Sequence, residues 1–321
     1  MIEKILRIED VPLVELLGVE NMHIKEISSA FPSIKITSRG DEIKLNGKEA
    51  DVERVYLTLE SMIEHYLKYG EINKEIVQDY LTPFSGNNGN MSLDDFIIHG
   101  PKGVVIKPKS ANQAKIVEAI ESNDLVFAIG PAGTGKTFVS VALAVRALKN
   151  KWVKRVVVTR PAVEAGENLG FLPGDLKEKI DPYIRPIYDS LADMLEPEKL
   201  KQYQEANTIE IAPLAYMRGR TLSNAFILLD EAQNTTPMQL KMFLTRLGQG
   251  SKAIITGDMT QIDLPRKQKS GLIHATEILK NVKGIAFVYL DGRDVSRHPL
   301  VKEIIKAYDK SSQDSMFDSN S

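Results

Sequence analysis

Short apolar runs alternate with longer amphipathic stretches over most of the chain beyond residue 96. Six of these runs are bounded by polar or glycine-containing segments, which is typical of buried strands. They lie at residues 125–129, 155–159, 208–212, 226–229, 253–256 and 285–290. Helical patterns separate them, and this alternation predicts an α/β fold in which helices cover a mainly parallel sheet.

The first 80 residues have a different pattern. Alternating apolar and polar positions at 33–37 and 42–45, joined by a turn, predict a β-hairpin. Apolar residues at helical spacing predict flanking helices at about 22–30 and 50–69. We therefore expect a small α–β–β–α unit before the main domain.

These patterns predict a chain with two domains. We expect a small α+β domain at 1–80, a linker at 81–95 that is rich in helix-breaking residues, and the main α/β domain at 96–310. The polar segment 311–321 is expected to be disordered. With 321 residues, 43% of them hydrophobic, the chain is long enough to bury a full α/β core beside a smaller module.

Composition excludes several kinds of site. The chain has no cysteine, which rules out disulfides, thiolate zinc sites and thiol nucleophiles. Its formal net charge is −2, so any contact with nucleic acid has to come from local basic patches. No segment is apolar enough to span a membrane, and the first residues lack a signal-peptide core. We therefore expect no membrane partner and a cytoplasmic location.

A glycine-rich loop follows the strand predicted at 125–129, and a helix is predicted after it at 138–148. The loop has the phosphate-binding pattern, and its residues are Gly130, Pro131, Ala132, Gly133, Thr134, Gly135, Lys136 and Thr137. Glycine lets backbone N–H groups approach an anion, and the helix adds the positive end of its dipole. We predict that this loop binds a nucleoside triphosphate, with Lys136 reaching the β- and γ-phosphates and Thr137 binding Mg²⁺.

Two adjacent acids, Asp230 and Glu231, follow the strand predicted at 226–229. In P-loop enzymes an acid at this strand end holds the magnesium ion, so Asp230 is predicted to be a metal ligand together with Thr137. The next carboxylate would face the γ-phosphate. Glu231 is therefore predicted to be the catalytic residue that orients or deprotonates the attacking water.

The strand predicted at 253–256 runs into the sequence Gly-Asp-x-x-Gln. A polar side chain that emerges beside the phosphate-binding strand can sense the γ-phosphate and relay its loss. Gln261 is predicted to be this sensor. Asp258 is predicted to orient the glutamine or to contact the attacking water.

These motifs together resemble those of superfamily 1 helicases. Gln113, upstream of the loop, resembles the glutamine with which those proteins read adenine, so it is expected to contribute to nucleotide binding. The chain after residue 290 is too short for the second RecA-like domain of such helicases.

A more extensive resemblance, over about residues 110–308, is to the PhoH-like ATPase family. It is carried by Thr159-Arg160-Pro161-Ala162-Val163-Glu164, the segments 166–174 and 181–183, Met217-Arg218-Gly219-Arg220-Thr221 and the segment 294–300. The resemblance implies a single RecA-like core that uses ATP and Mg²⁺, assembles as a homo-oligomeric ring and acts on RNA. It also implies an N-terminal KH-like module.

Arginines are expected to complete the catalytic site and the RNA path. Hydrolysis in P-loop enzymes uses a cation on the γ-phosphate beyond the loop lysine, and Arg297 is the first candidate, in cis or in trans. Arg218, Arg220 and Arg293 are alternatives. Arg160 lies where helicase cores contact the backbone of the nucleic-acid strand, so it is predicted to contact RNA. Arg218 and Arg220 lie in one predicted turn and are predicted to add contacts with RNA phosphates.

KH modules hold nucleic-acid backbone with a Gly-x-x-Gly loop between helices. The matching segment here is Gly18-Val19-Glu20-Asn21, which lacks the second glycine. RNA binding and a structural or oligomerisation role both remain open for this module.

The favoured function is Mg²⁺-dependent ATP hydrolysis coupled to RNA binding or remodelling. RNA helicase activity of an oligomer and an RNA-processing protein partner are open extensions of this function. Three alternatives remain. They are an ATP-controlled assembly or regulatory switch with incidental turnover, a small-molecule kinase, and a true helicase.

Overall fold

A computed structural model of the chain describes residues 1–8, 11–81, 96–161, 176–265 and 267–295, together with Leu300 and Ile304. The predicted linker after Leu81, the predicted tail at 311–321, the motif at 166–174 and the candidate arginine Arg297 lie outside the described residues.

The amino-terminal part of the chain forms an α+β unit. Its elements are β1 (Ile2–Arg7), α1 (Leu13–Leu17), α2 (Met22–Ala30), β2 (Lys35–Arg39), β3 (Glu42–Gly47), α3 (Glu49–Tyr69) and α4 (Lys74–Leu81). Among the described residues, three strands form an antiparallel sheet in the order β1-β3-β2. The predicted hairpin and both predicted helices are present. The predicted α–β–β–α order is incomplete, because β1 and α1 precede it and α4 follows it.

Strand β1 was not predicted from the sequence, and its burial pattern gives the reason. Of its six residues only Leu6 is buried, and the rest are intermediate or exposed, so its sequence lacks the apolar alternation of a half-buried strand. Pairing with β3 from Ile2↔Gly47 to Arg7↔Glu42 is what makes this segment a strand. Its strand structure therefore depends on its neighbour.

The main domain begins with a short antiparallel hairpin and continues with alternating helices and strands. Its first elements are β4 (Ile98–His99), β5 (Val105–Ile106), α5 (Ala111–Ser122), β6 (Leu125–Ile129), α6 (Lys136–Lys149), β7 (Arg155–Arg160), α7 (Leu176–Ala192) and α8 (Pro197–Glu205). They are followed by β8 (Ile209–Pro213), β9 (Ala225–Leu229), α9 (Pro237–Leu244), β10 (Lys252–Gly257), α10 (Gly271–Ile278) and β11 (Ile285–Tyr289).

Six parallel strands form the central sheet in the part of the chain that the structure describes. Their order is β11-β6-β10-β9-β7-β8. All six strands predicted from apolar runs are confirmed, and the predicted α/β class is correct. The runs are continuous because both faces of the sheet are covered, so residues on both faces are apolar.

The strand order positions the site. Strand β6 ends in the glycine-rich loop, and β10 separates it from β9, which ends in the two acids. Because the strands are parallel, the residues that follow them lie at one edge of the sheet, where α/β proteins bind ligands. Helix α6 begins at Lys136, two residues earlier than predicted, because its polar first turn follows the loop directly.

Aromatic rings join the amino-terminal unit to the main domain. His65 and Tyr69 of α3 contact His99 of β4, with ring centroids 5.8 and 5.1 Å from it. Phe96 also packs against His99, with ring centroids 4.2 Å apart. Within the described segments, no helix combines the length and apolar character needed to cross a membrane.

Candidate nucleotide-binding site

The glycine-rich loop is tied to both strands that flank β6. The Gly130 N–H donates to Gly257 O over 3.0 Å, and the Leu290 N–H donates to Ile129 O over 2.7 Å. A Cβ on Gly130 would lie 2.5 Å from Leu290 O, so only glycine fits there. These contacts therefore fix the position of the first loop residue relative to β10 and β11.

Two further glycines give the loop its turn. Gly133 and Gly135 have φ values of 81° and 75°, in the left-handed region that favours glycine. A Cβ on Gly135 would also lie 2.7 Å from Gln113 Nε2. Backbone conformation and close packing both require glycine at this position.

Lys136 is the first residue of α6 and is buried. Its ammonium group donates to Gly130 O over 2.6 Å and to Pro131 O over 2.8 Å. These bonds hold the side chain across its own loop, where the lysine of a P-loop meets phosphate oxygens. The position agrees with the predicted phosphate-binding role.

Thr137 and Asp230 meet at the ends of α6 and β9. The Thr137 hydroxyl donates to Asp230 Oδ1 over 2.8 Å, and the Thr256 hydroxyl of β10 donates to the same oxygen over 2.5 Å. Asp230 is buried. Hydroxyl and carboxylate oxygens are ligands that Mg²⁺ accepts, so the predicted metal pair is brought together.

The side chains near Thr137 and Asp230 limit how a metal ion could be bound. Among the described residues, no group of three or more His, Cys, Asp or Glu side chains could bind a metal ion. A metal at Thr137 and Asp230 would therefore depend on phosphate oxygens and water for its remaining ligands, as Mg²⁺ does in nucleotide sites.

Glu231 follows Asp230 in a left-handed conformation, with φ of 55°. One oxygen of its carboxylate, Oε1, accepts from Arg160 Nη2 over 2.9 Å, and the other, Oε2, accepts from Gln233 Nε2 over 2.5 Å. Arg160 Nε also lies 4.0 Å from Asp230 Oδ2. Positive φ is rare for residues other than glycine because it strains the backbone, and such strained residues cluster at functional sites.

A chain of hydrogen bonds links Glu231 to the phosphate loop. Gln233, which bonds Glu231, accepts from the Asp258 N–H through Oε1 over 3.0 Å. Asp258 Oδ2 in turn accepts from the Ala132 N–H over 3.1 Å. Asp258 thus braces the loop, whereas Gln261 is exposed and donates its backbone N–H to Asp258 O.

Gln113 lies under the loop and is buried. Its Oε1 accepts from the Lys109 N–H over 2.6 Å, and its Nε2 donates to Thr134 O over 2.8 Å. Both ends of the amide therefore bond the protein backbone, and one of them supports the loop. A contact with the base stays a prediction.

The remaining arginines differ in their surroundings. Arg220 forms a two-bond ion pair with Glu210, at 2.6 and 2.7 Å, and this hydrogen bonding lowers the pKa of Glu210. Arg293 pairs with Asp291 at 2.6 Å. Arg218 is exposed. Their proposed roles toward RNA or the γ-phosphate stay predictions.

Several residues of the site were not predicted. Gln233 and Thr256 had no assigned role, and the contacts of Arg160 with Glu231 and of Asp258 with Ala132 join residues far apart in sequence. Gln233 stands in the same acidic motif as Asp230, and Thr256 directly precedes Gly257 and Asp258. Polar residues within or beside strand-end motifs are the signal that could have identified them.

The chain is similar to known proteins over most of its length. Residues 105–309 match the family model described as PhoH-like protein. The chain is 51% identical to a PhoH-like protein of Bacillus subtilis (strain 168), an alignment that covers 92% of this chain and 93% of the relative. It is 50% identical to a PhoH-like protein of Synechocystis sp., covering 86% of this chain and 85% of that relative.

Among solved structures, the Pif1 helicase from Candida albicans has 15% sequence identity and a TM-score of 0.31, covering 57% of this chain and 40% of its own. That similarity is too low to add to the assignment. The family match spans more than half of the chain and contains the whole phosphate loop and both acids. The chain therefore belongs to the PhoH-like protein family, with a P-loop core built to bind a nucleotide.

Proposed function

We propose that this chain hydrolyses ATP with Mg²⁺ and couples hydrolysis to the binding or remodelling of RNA. The observation that carries the proposal is the hydrogen bond between Thr137 and Asp230, which joins the phosphate loop to the acid pair. This contact supports the proposal because it brings the residues proposed to bind phosphate, hold the metal and activate water to one edge of the sheet.

Each side chain has a distinct task in this scheme. The loop amides and Lys136 bind the phosphates, and Thr137 and Asp230 would hold Mg²⁺. When bound, the ion would neutralise charge on the phosphate oxygens. Glu231 orients a water molecule and accepts its proton as the water oxygen bonds the γ-phosphorus and the bond to ADP breaks.

Gln261 is proposed to sense the γ-phosphate, since it follows β10, the strand between the loop and the acids. Its exposure leaves it free of packing, so it can respond to the nucleotide. Arg297 is proposed as the additional cation, supplied in cis or by a neighbour in a ring. An RNA-processing protein remains the proposed partner.

The test is release of inorganic phosphate from ATP, measured with and without single-stranded RNA. Glu231→Gln should still bind ATP but lose about 10²-fold or more in turnover, because it removes the general base. RNA-stimulated turnover supports coupling to RNA. Turnover that RNA does not change favours the regulatory switch, and a phosphorylated acceptor in place of free phosphate favours the kinase.

The RNA contacts can be tested with a matched pair of arginines. Arg218 is exposed, whereas Arg220 is held by Glu210. Arg218→Ala should therefore weaken RNA binding and lower the slope of log affinity against log salt by about 1. Arg220 stays a proposed RNA contact, and Arg220→Ala should in addition lower the free energy of unfolding, because it removes the ion pair with Glu210. Equal RNA affinity of wild type and Arg218→Ala would remove Arg218 from the RNA path.

A further inference from the structure

We propose that Arg160 is a positioning residue that holds Glu231 in a resting position, and that the phosphate backbone of RNA releases the glutamate by binding Arg160 instead. The inference rests on the proposed function, in which Glu231 is the general base. It adds a mechanism by which RNA would control hydrolysis.

The order of the strands determines the side toward which the Arg160–Glu231 ion pair holds the glutamate. Arg160 is the last residue of β7, and β7 lies on the side of β9 that is remote from β10 and β6. The bond between Arg160 Nη2 and Glu231 Oε1 therefore draws the glutamate toward β7 and away from the strand that carries the phosphate loop. In the proposed function, the γ-phosphate and the attacking water would lie on the loop side of Glu231.

The orientation of the Glu231 carboxylate group is also restrained. Its second oxygen accepts from Gln233, so each of the two oxygens has a donor. Gln233 is itself held by the Asp258 N–H, at the end of β10. The two hydrogen bonds therefore act in different directions. The bond from Gln233 links Glu231 to the phosphate-loop side of the site, whereas the bond from Arg160 holds it toward β7. Loss of the arginine contact would leave Glu231 guided only by Gln233.

Arg160 can exchange its partner. Its side chain is 20% exposed and that of Glu231 is 35% exposed, so both members of the pair are partly accessible to solvent. A guanidinium group binds phosphate in the same two-bond geometry that it uses for carboxylate. Donors that bind an RNA phosphate are no longer available to Glu231. Arginine has five N–H donors, so the exchange requires the phosphate to take Nη2, the donor that Glu231 Oε1 uses, and a phosphate bound there excludes the resting ion pair.

Arg160→Gln tests the proposal, because it removes the charge of the restraint and weakens the phosphate contact together. Without RNA, this variant should hydrolyse ATP about 3- to 10-fold faster than the wild type, with an unchanged KM for ATP. Polyuridylate should stimulate the wild type but not the variant. Arg155→Gln, at the opposite end of the same strand, is the matched control and should behave as the wild type.

Arg160→Lys keeps the charge but loses the forked geometry, so it should show a smaller change in the same direction. It also decides the matter if Arg160→Gln fails to fold, as judged by circular dichroism. An unchanged basal rate and unchanged stimulation in the lysine variant would then overturn the proposal.

Glu231→Gln separates this inference from the proposed function. If that variant hydrolyses ATP as fast as the wild type, the assignment of the general base has failed. If it is inactive while Arg160→Gln is no faster than the wild type, or is still stimulated by polyuridylate, only the role of Arg160 is overturned. Absence of stimulation in the wild type would overturn RNA as the releasing ligand.

Discussion

The Thr137 hydroxyl donates to Asp230 Oδ1 over 2.8 Å, although the two residues are 93 positions apart in the sequence. The bond joins the first turn of α6 to the end of β9 across the intervening strand β10. Thr256 of β10 donates to the same oxygen, so three elements fix one carboxylate. Hydrogen bonds from two neighbouring elements therefore hold the carboxylate of the proposed metal ligand Asp230 in place.

Removal of the Thr137 hydroxyl should reduce the contribution of Mg²⁺ to nucleotide binding. Thr137→Val keeps the shape but loses the oxygen, so affinity for a non-hydrolysable ATP analogue in Mg²⁺ should fall about 10-fold or more. Calorimetry with Mg²⁺ and with EDTA measures the effect. Thr137→Ser retains the hydroxyl and should bind as the wild type, and equal Mg²⁺ dependence in the valine variant would refute the assignment.

Gly135 and Gly219 form a matched pair for testing the loop. Both have positive φ, at 75° and 76°, but a Cβ on Gly135 would meet Gln113 Nε2 whereas a Cβ on Gly219 would meet nothing within 4 Å. Substitution by alanine should cost both sites about 1 kcal/mol in backbone strain. Only Gly135→Ala should also abolish ATP binding. Similar ATP affinities for the two variants would show that loop packing is unimportant.

Gln233 should be needed for both stability and turnover. Gln233→Leu leaves the Asp258 N–H and Glu231 Oε2 without their partner, and loss of a buried hydrogen-bond partner costs about 1–3 kcal/mol. We expect a lower free energy of unfolding in urea and a lower kcat, with a smaller effect on ATP affinity. Gln268→Leu, at an exposed position, is the control. A variant with normal kcat would mean that Gln233 does not position Glu231.

Acid should weaken the packing between the amino-terminal unit and the main domain. Burial, together with the charge of Lys68, lowers the pKa of His99 from 6.5 to about 4, and burial also lowers that of His65. The unfolded chain takes up a proton at His99 near pH 6.5, whereas the folded chain does so only near pH 4. Stability from this group is therefore full above pH 6.5 and is lost as the pH falls toward 4.

The expected loss over this range is about 1–3 kcal/mol for the wild type, after allowance for partial exposure of the ring. Urea unfolding at a series of pH values measures it. His99→Phe keeps an aromatic ring without the titrating nitrogens, so its stability should fall less steeply with pH. Parallel curves for the two proteins would assign the acid sensitivity to other groups.

Local sequence patterns were sufficient to identify the six strands of the central sheet and the position of the glycine-rich loop. Strands such as Leu125–Ile129 are buried on both faces, so their whole sequence is apolar and can be recognised locally. The loop is equally local, because Gly130, Gly135 and Lys136 belong to one continuous segment. Strand β1 was missed because most of its residues are not buried and its structure depends on pairing with β3.

The contacts among the residues of the candidate site, in contrast, follow from the arrangement of the strands in space. Arg160 and Glu231 are 71 residues apart, and Ala132 and Asp258 are 126 apart, yet each pair shares a hydrogen bond. These contacts depend on which parallel strands are neighbours, and the order β6-β10-β9-β7 differs from the order along the chain. Apolar runs identify strands but carry no information about their partners, because neighbouring strands pair through backbone hydrogen bonds that are the same for every sequence.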